Sequence, residues 1–219
     1  MSTVTPGQLP TWAVEPVKTL KSVQPSQGTV NLIIKGGDDY FAIATTGDIS
    51  LEGIKLDVKS GAGIRSAEGN ISIAGNVTAT AKGDDGYGIY AEAGSVTISG
   101  SVTVPSGFVG ISAETGITIN GTVNATSTNT CIGTVNGDIV INGNVTATTT
   151  SSAAIIARGL DNGGNIIINS GTITATGGEY GTWAYGIAAR KGISIAEGAT
   201  VKATGGTAIY AEEENISIA

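Results

Sequence analysis

Gly110-Ile111-Ser112-Ala113-Glu114-Thr115-Gly116-Ile117-Thr118-Ile119-Asn120-Gly121-Thr122-Val123-Asn124-Ala125-Thr126 is one copy of a phrase that recurs along the chain. A second copy runs from Gly63-Ile64 through Asn70-Ile71-Ser72-Ile73 to Asn76-Val77-Thr78-Ala79-Thr80. The lead isoleucines of the successive copies are Ile43, Ile64, Ile89, Ile111, Ile132, Ile155, Ile187 and Ile209, mostly about 21 to 25 residues apart. A fixed period of this length is the mark of a solenoid, in which each unit is one turn of a coil and buries its apolar face only against its neighbours.

Inside each unit the apolar period is two, which is the period of a strand. Ile71 and Ile73 share one side with Ser72 on the other, and Ile117/Ile119, Ile139/Ile141 and Ile193/Ile195 repeat the arrangement. The third segment does the same with Val77/Ala79, Val123/Ala125, Val145/Ala147, Ile173/Ala175 and Val201/Ala203. Three short strands per turn, each with one apolar face, describe an all-β fold: a parallel β-helix of about eight coils, right-handed by the crossover rule for parallel strands. One strand spacing per coil gives a rod on the order of 40 Å long. Gly75, Gly100, Gly121 and Gly143 follow the middle strand, where a sharp corner is expected to use positive φ. Asn120, Asn142 and Asn169 precede that corner and are placed to form an asparagine ladder along the stack. The helix is expected over residues 29–219. Residues 1–28 lack the repeat, carry Pro6, Pro10, Pro16 and Pro25, and read as an N-terminal cap or extension. The last coil stops after two strands, which reads as an uncapped or truncated end, or as a face for end-to-end self-association.

Composition narrows the function classes. A net charge of −7 and no clustered Lys or Arg argue against a nucleic-acid partner. No apolar run approaches the ~18 residues of a membrane span. An acidic, Thr- and Asn-rich surface suits an extracellular or cell-surface protein, with the leader absent from the chain as written. The chain has no histidine, no Gly-x-Ser-x-Gly and no phosphate loop, so a non-catalytic module is expected rather than an enzyme. The single cysteine, Cys131, precedes Ile132 where other copies have Gly or another small residue, and reads as a small buried residue.

Two features carry candidate chemistry. The turn after the first strand reads Glu68, Glu92, Glu114, then Asn136, Arg158, Arg190 and Glu212 on successive copies. Stacked carboxylates suit a hard cation such as Ca²⁺, and the arginines suit pairing with Glu212. The loops entering the first strand combine acids with the chain's scarce aromatics: Asp84, Asp85 and Tyr87 in one, Tyr180, Trp183 and Tyr185 in another. Variable loops on a rigid scaffold are where binding residues usually sit. Flat rings stack on sugar faces, so Tyr87, Tyr180, Trp183 and Tyr185 are the candidate ligand contacts. Asp84, Asp85, Glu68, Glu92 and Glu114 are the candidate calcium ligands. The outward positions of the third strand are rich in threonine, a favourable exposed strand residue.

Gly83-Asp84-Asp85-Gly86-Tyr87-Gly88-Ile89-Tyr90-Ala91-Glu92-Ala93-Gly94-Ser95-Val96-Thr97-Ile98 resembles the repeats of clostridial secreted carbohydrate-binding parallel β-helix proteins, which share the pectate-lyase-like fold. The likeness extends over residues 36–219. It implies a secreted, non-catalytic module that binds polysaccharide, an acidic plant cell-wall glycan among the candidates, with calcium on the scaffold. The same Gly-Ile and Ile-Thr-Ile grammar also resembles the stalks of adhesins and autotransporters, which implies a structural role without glycan binding.

Overall fold

The fold follows from stacking the repeated phrase on itself. The computed structural model describes residues 30–35, 41–60, 62–82, 86–159, 162–179, 181 and 183–219. The expected cap at 1–28 therefore lies outside the described residues. So do the candidate site residues Asp84, Asp85 and Tyr180. Among the described residues there are 24 strands, no helix, and three eight-stranded parallel sheets. Each sheet takes every third strand, so every coil contributes one strand to each face.

The first sheet contains Phe41–Thr45, Ala62–Ser66, Tyr87–Ala91, Val109–Ala113, Thr130–Thr134, Ile155–Ala157, Tyr185–Ala189 and Thr207–Ala211. We number the coils 1 to 8 by these strands. The middle sheet runs from Ile49–Leu51 to Ile216–Ile218, and the third from Val30–Lys35 to Thr200–Thr204. All eight lead isoleucines pair in one unbroken register column, from Ile43 with Ile64 through to Ile187 with Ile209. In coils 2 to 7 these isoleucines are fully buried. Full burial of one such side chain contributes about 1.5–3 kcal/mol. Alternation then dictates the outside: Thr126, Thr148, Thr176 and Thr204 form one outward column of the third sheet. In coil 8, Ile216 and Ile218 occupy the same register positions as buried Ile193 and Ile195, yet are 43% and 68% exposed.

The corner after the middle strand needs glycine, but for a reason other than the expected one. Positive φ occurs at Gly53 (61°), Gly171 (98°) and Gly198 (83°), while Gly75, Gly100, Gly121 and Gly143 do not adopt it. What excludes a side chain there is the neighbouring coil. A Cβ on Gly121 would overlap the carbonyl oxygen of Gly100, and one on Gly143 would overlap that of Gly121. Gly121 N–H and Thr122 N–H donate to the carbonyls of Ile98 and Gly100 at 3.1 and 2.9 Å, which pins the two corners together. Beside them the asparagine ladder forms as expected. Asn142 Nδ2 donates to Asn120 Oδ1 at 2.8 Å, and Asn169 Nδ2 donates to Asn142 Oδ1 at 2.9 Å.

Cys131 sits between Gly110 and Ala154 in the column that precedes the lead isoleucines, and its side chain is fully buried. The thiol donates to the Thr148 carbonyl at 2.9 Å and lies 3.1 Å from Ser127 Oγ. Burial pushes its pKa up, so the reactive thiolate is suppressed. A thiol reagent at pH 8 should leave the native chain unmodified and label it fully in denaturant.

Gly121→Ala should cost about 1–3 kcal/mol in denaturant unfolding, the scale of forced overpacking. Asn142→Ala breaks two exposed ladder bonds and should cost about 1 kcal/mol. Equal losses for the two variants would show that close approach of the corners is not the constraint.

Candidate functional site

The outward side of the first sheet differs chemically from the other two. Every aromatic residue in the described strands stands on this sheet: Phe41, Tyr87, Tyr90, Tyr185 and Tyr210. Alternation about the buried isoleucines sets the direction of two of them. Tyr90 follows Ile89 and Tyr210 follows Ile209, so both must point out of the coil. Their positions belong to one column that also contains Arg65, Ser112, Gly133, Ile156 and Ala188.

The aromatics gather in two groups. In coil 3 the rings of Tyr87 and Tyr90 stack with centroids 4.4 Å apart and planes 18° from parallel. Burial, followed by the neighbouring Tyr87, pushes the Tyr90 phenol pKa up. From coil 2, Arg65 pairs with Glu92 and lies 5.8 Å from the centre of the Phe41 ring.

The second group spans coils 6 to 8. Tyr185 and Tyr210 stack across adjacent coils with centroids 5.0 Å apart and planes 15° from parallel. The Arg158 guanidinium lies 4.3 Å from the Trp183 ring centre and 5.5 Å from that of Tyr210, and Nε donates to Glu212 at 2.7 Å. Trp183 remains 46% exposed, the largest exposed aromatic surface among the described residues. The Glu212 hydrogen bond raises the Arg158 pKa, and the same bond lowers that of Glu212. Arg190 makes a parallel contact to Glu213 at 2.8 Å. The structure thus bears out the expected arginine–glutamate pairing in this turn.

Tyr87, Trp183 and Tyr185 were read from the sequence as loop residues entering the first strand. Tyr87 and Tyr185 instead open strands, so their rings are held by the sheet. Tyr90, Tyr210, Arg65 and Arg158 were missed as part of an aromatic site. The signal was available, since the residue after each lead isoleucine must face outward.

The glutamate column needs a correction of register. Backbone bonding places Glu92 and Glu114 in line with Ala67, Val135, Arg158, Arg190 and Glu212. Glu68 and Asn136 fall one residue later, in the adjacent line, because each is the second residue past its strand's paired end. Glu92 is engaged by Arg65, and Glu114 accepts from Asn136 Nδ2. Glu68, Glu92 and Glu114 therefore do not converge on a common point. Among the described residues no three His, Cys, Asp or Glu side chains gather in a way that would hold a metal ion. These glutamates do not fit a calcium cage. Among the described residues no helix is long and apolar enough to cross a membrane.

No family model, curated protein or solved structure matches the chain.

The depressed Glu212 pKa gives this end of the face a pH dependence. A carboxylate with a lowered folded pKa contributes stability that is present above its unfolded value and lost as pH falls through the folded one. In a Trp12→Phe background, the fluorescence of Trp183 should shift on acidification with a midpoint below the ordinary glutamate range. Glu212→Gln should remove that transition. A transition unchanged in Glu212→Gln would assign it to another carboxylate.

Proposed function

We propose that the chain is a non-catalytic polysaccharide-binding module whose contact surface is the aromatic face of the first sheet. The observation that carries this reading is the segregation of aromatic residues. Phe41, Tyr87, Tyr90, Tyr185 and Tyr210 stand on one face of three, with Trp183 beside them and 46% exposed. An aromatic ring offers a flat apolar surface to the C–H face of a pyranose and loses little conformational entropy on binding. A sheet holds such rings at fixed spacing, which suits a repeating polymer. Arg158, Glu212 and the tyrosine hydroxyls add hydrogen-bonding edges around the rings. The resemblance to clostridial carbohydrate-binding β-helices supports the same reading, which carries with it an extracellular location.

A second reading is favoured by the same contacts. Arg158 covers one face of Trp183 and Tyr185 covers one face of Tyr210, so the aromatics also serve each other as packing partners. On that reading the rod is a structural or adhesin-type stalk, and the aromatic groups stabilise coils 6 to 8.

Glycan-array retention of the purified chain, with calcium and with chelator, separates the two. Trp183→Ala should lower retention by about ten-fold or more, the loss typical of a buried-on-binding aromatic anchor. Chelator should leave retention unchanged, since the described glutamates form no cation site. Retention indifferent to Trp183→Ala, together with reduced thermal stability, would favour the stalk.

A further inference from the structure

The two aromatic groups lie in line along the solenoid axis. Tyr90 and Tyr210 stand in a single register column, and the positions between them are Ser112, Gly133, Ile156 and Ala188. Within that column nothing bulkier than isoleucine stands between them, with Gly133 and Ala188 buried at its floor, while Arg158 of coil 6 reaches over to Trp183 and Tyr210. Tyr87 and Tyr185 belong to coils 3 and 7, four coil steps apart, which is about 19 Å at one strand spacing per step. Tyr90 and Tyr210 are five steps apart, about 24 Å.

From this placement we propose that the two tyrosine stacks are the ends of one binding track, occupied by an extended, uncharged, β-linked polysaccharide lying parallel to the solenoid axis. The inference rests on the polysaccharide-binding reading above and adds to it an orientation, a minimum length and a charge class. Orientation follows from the column, since only a ligand parallel to the axis meets both stacks. Length follows from the spacing. An extended β-linked chain advances per pyranose by a step comparable to one strand spacing, so roughly four to five sugar units span the track.

Charge class follows from the ion pairs. Arg65, Arg158 and Arg190 are the chain's three arginines, and each already holds a glutamate: Glu92, Glu212 and Glu213. Glu114 stands in the same turn with Asn136 as its partner. A polyuronate laid along this face would meet arginines already paired with glutamates, and Glu114, whose amide partner leaves its charge uncompensated. In a chain of net charge −7 that disfavours an acidic ligand. A neutral glycan meets no such penalty, and the small outward residues of coils 4 to 6 leave room for its rings.

The test is calorimetric titration of the full chain with β-1,4-linked gluco-oligosaccharides of two to eight units, with oligogalacturonates of the same lengths as the charged comparison. Affinity should rise steeply between three and six units, by about 100-fold or more, as the second stack becomes reachable and acts at high effective concentration. Tyr90→Ala should abolish that rise, leaving octasaccharide affinity at the level a single stack provides. Ser112→Arg and Ile156→Arg place a bulky outward side chain on the track without replacing a residue of either stack. Both should reduce octasaccharide affinity to the trisaccharide level, with unfolding curves confirming that the variants fold. Octasaccharide binding that matches trisaccharide binding, or that ignores both mid-track arginines, would overturn the track and leave a single-patch glycan module standing. Preferential binding of the oligogalacturonates would overturn the charge class. Failure of every oligosaccharide to bind would overturn the track and the polysaccharide-binding reading together.

Discussion

Parallel pairing between successive coils imposes one rise, about 4.8 Å, on every column of the molecule. Nothing in a coil can be taller than that step, and whatever a coil presents inward must fit what lies immediately above and below it. The buried isoleucine columns satisfy the step by interdigitating identical shapes, so each coil's core is completed by its neighbours. The corners satisfy it by omission, since carbonyl oxygens of one coil occupy the space that a Cβ of the next would need. Polar groups follow the same spacing. The amides of Asn120, Asn142 and Asn169 reach one another because each is one step from the next. Asp48 and Asp138 accept from the backbone N–H of Asn70 and Asn165 at 2.7 and 2.6 Å for the same reason.

The constraint acts differently on the three outer faces. Outward side chains do not have to match their neighbours, so those positions are free to carry chemistry. The third sheet uses this freedom for threonine, which fits a solvated strand. The first sheet uses it for tyrosine, placed so that rings meet either along one strand, as Tyr87 and Tyr90 do, or across one step, as Tyr185 and Tyr210 do. Arg158 reaches Glu212 from two coils away, so the ion pair ties coil 6 to coil 8 past coil 7. Such a contact joins units that backbone pairing leaves independent.

The fold was legible because burial writes the same residue at the same offset in every copy. The eight lead isoleucines, the Ile-x-Ile pairs and the asparagine ladder all follow from period and alternation alone. The glycine corners were located correctly but for the wrong cause. Close approach to Gly100 or Gly121 is a property of two coils, and a single copy of the repeat shows only that glycine is there. The glutamate column failed by one residue because Glu68 and Asn136 stand four residues after their lead isoleucines and the others three, an offset the sequence shows but turn-by-turn similarity hides. Tyr90 and Tyr210 were visible in the sequence but looked like ordinary strand residues. Their significance lies in sharing one face with every other aromatic of the described strands, which emerges once the faces are assembled.

The step size also makes the coil count a measuring device. Each repeat unit of about 22 residues adds one strand to every face. Duplicating a unit between coils 3 and 7 would move the two tyrosine stacks apart by one step, and losing one would bring them together by the same amount. Neither change would alter a residue in either stack, nor the shape of the core. Recombination between copies of the phrase could therefore change the distance between surface groups in discrete increments while the fold stays the same. A chain built this way can adjust its reach without redesigning what it reaches with.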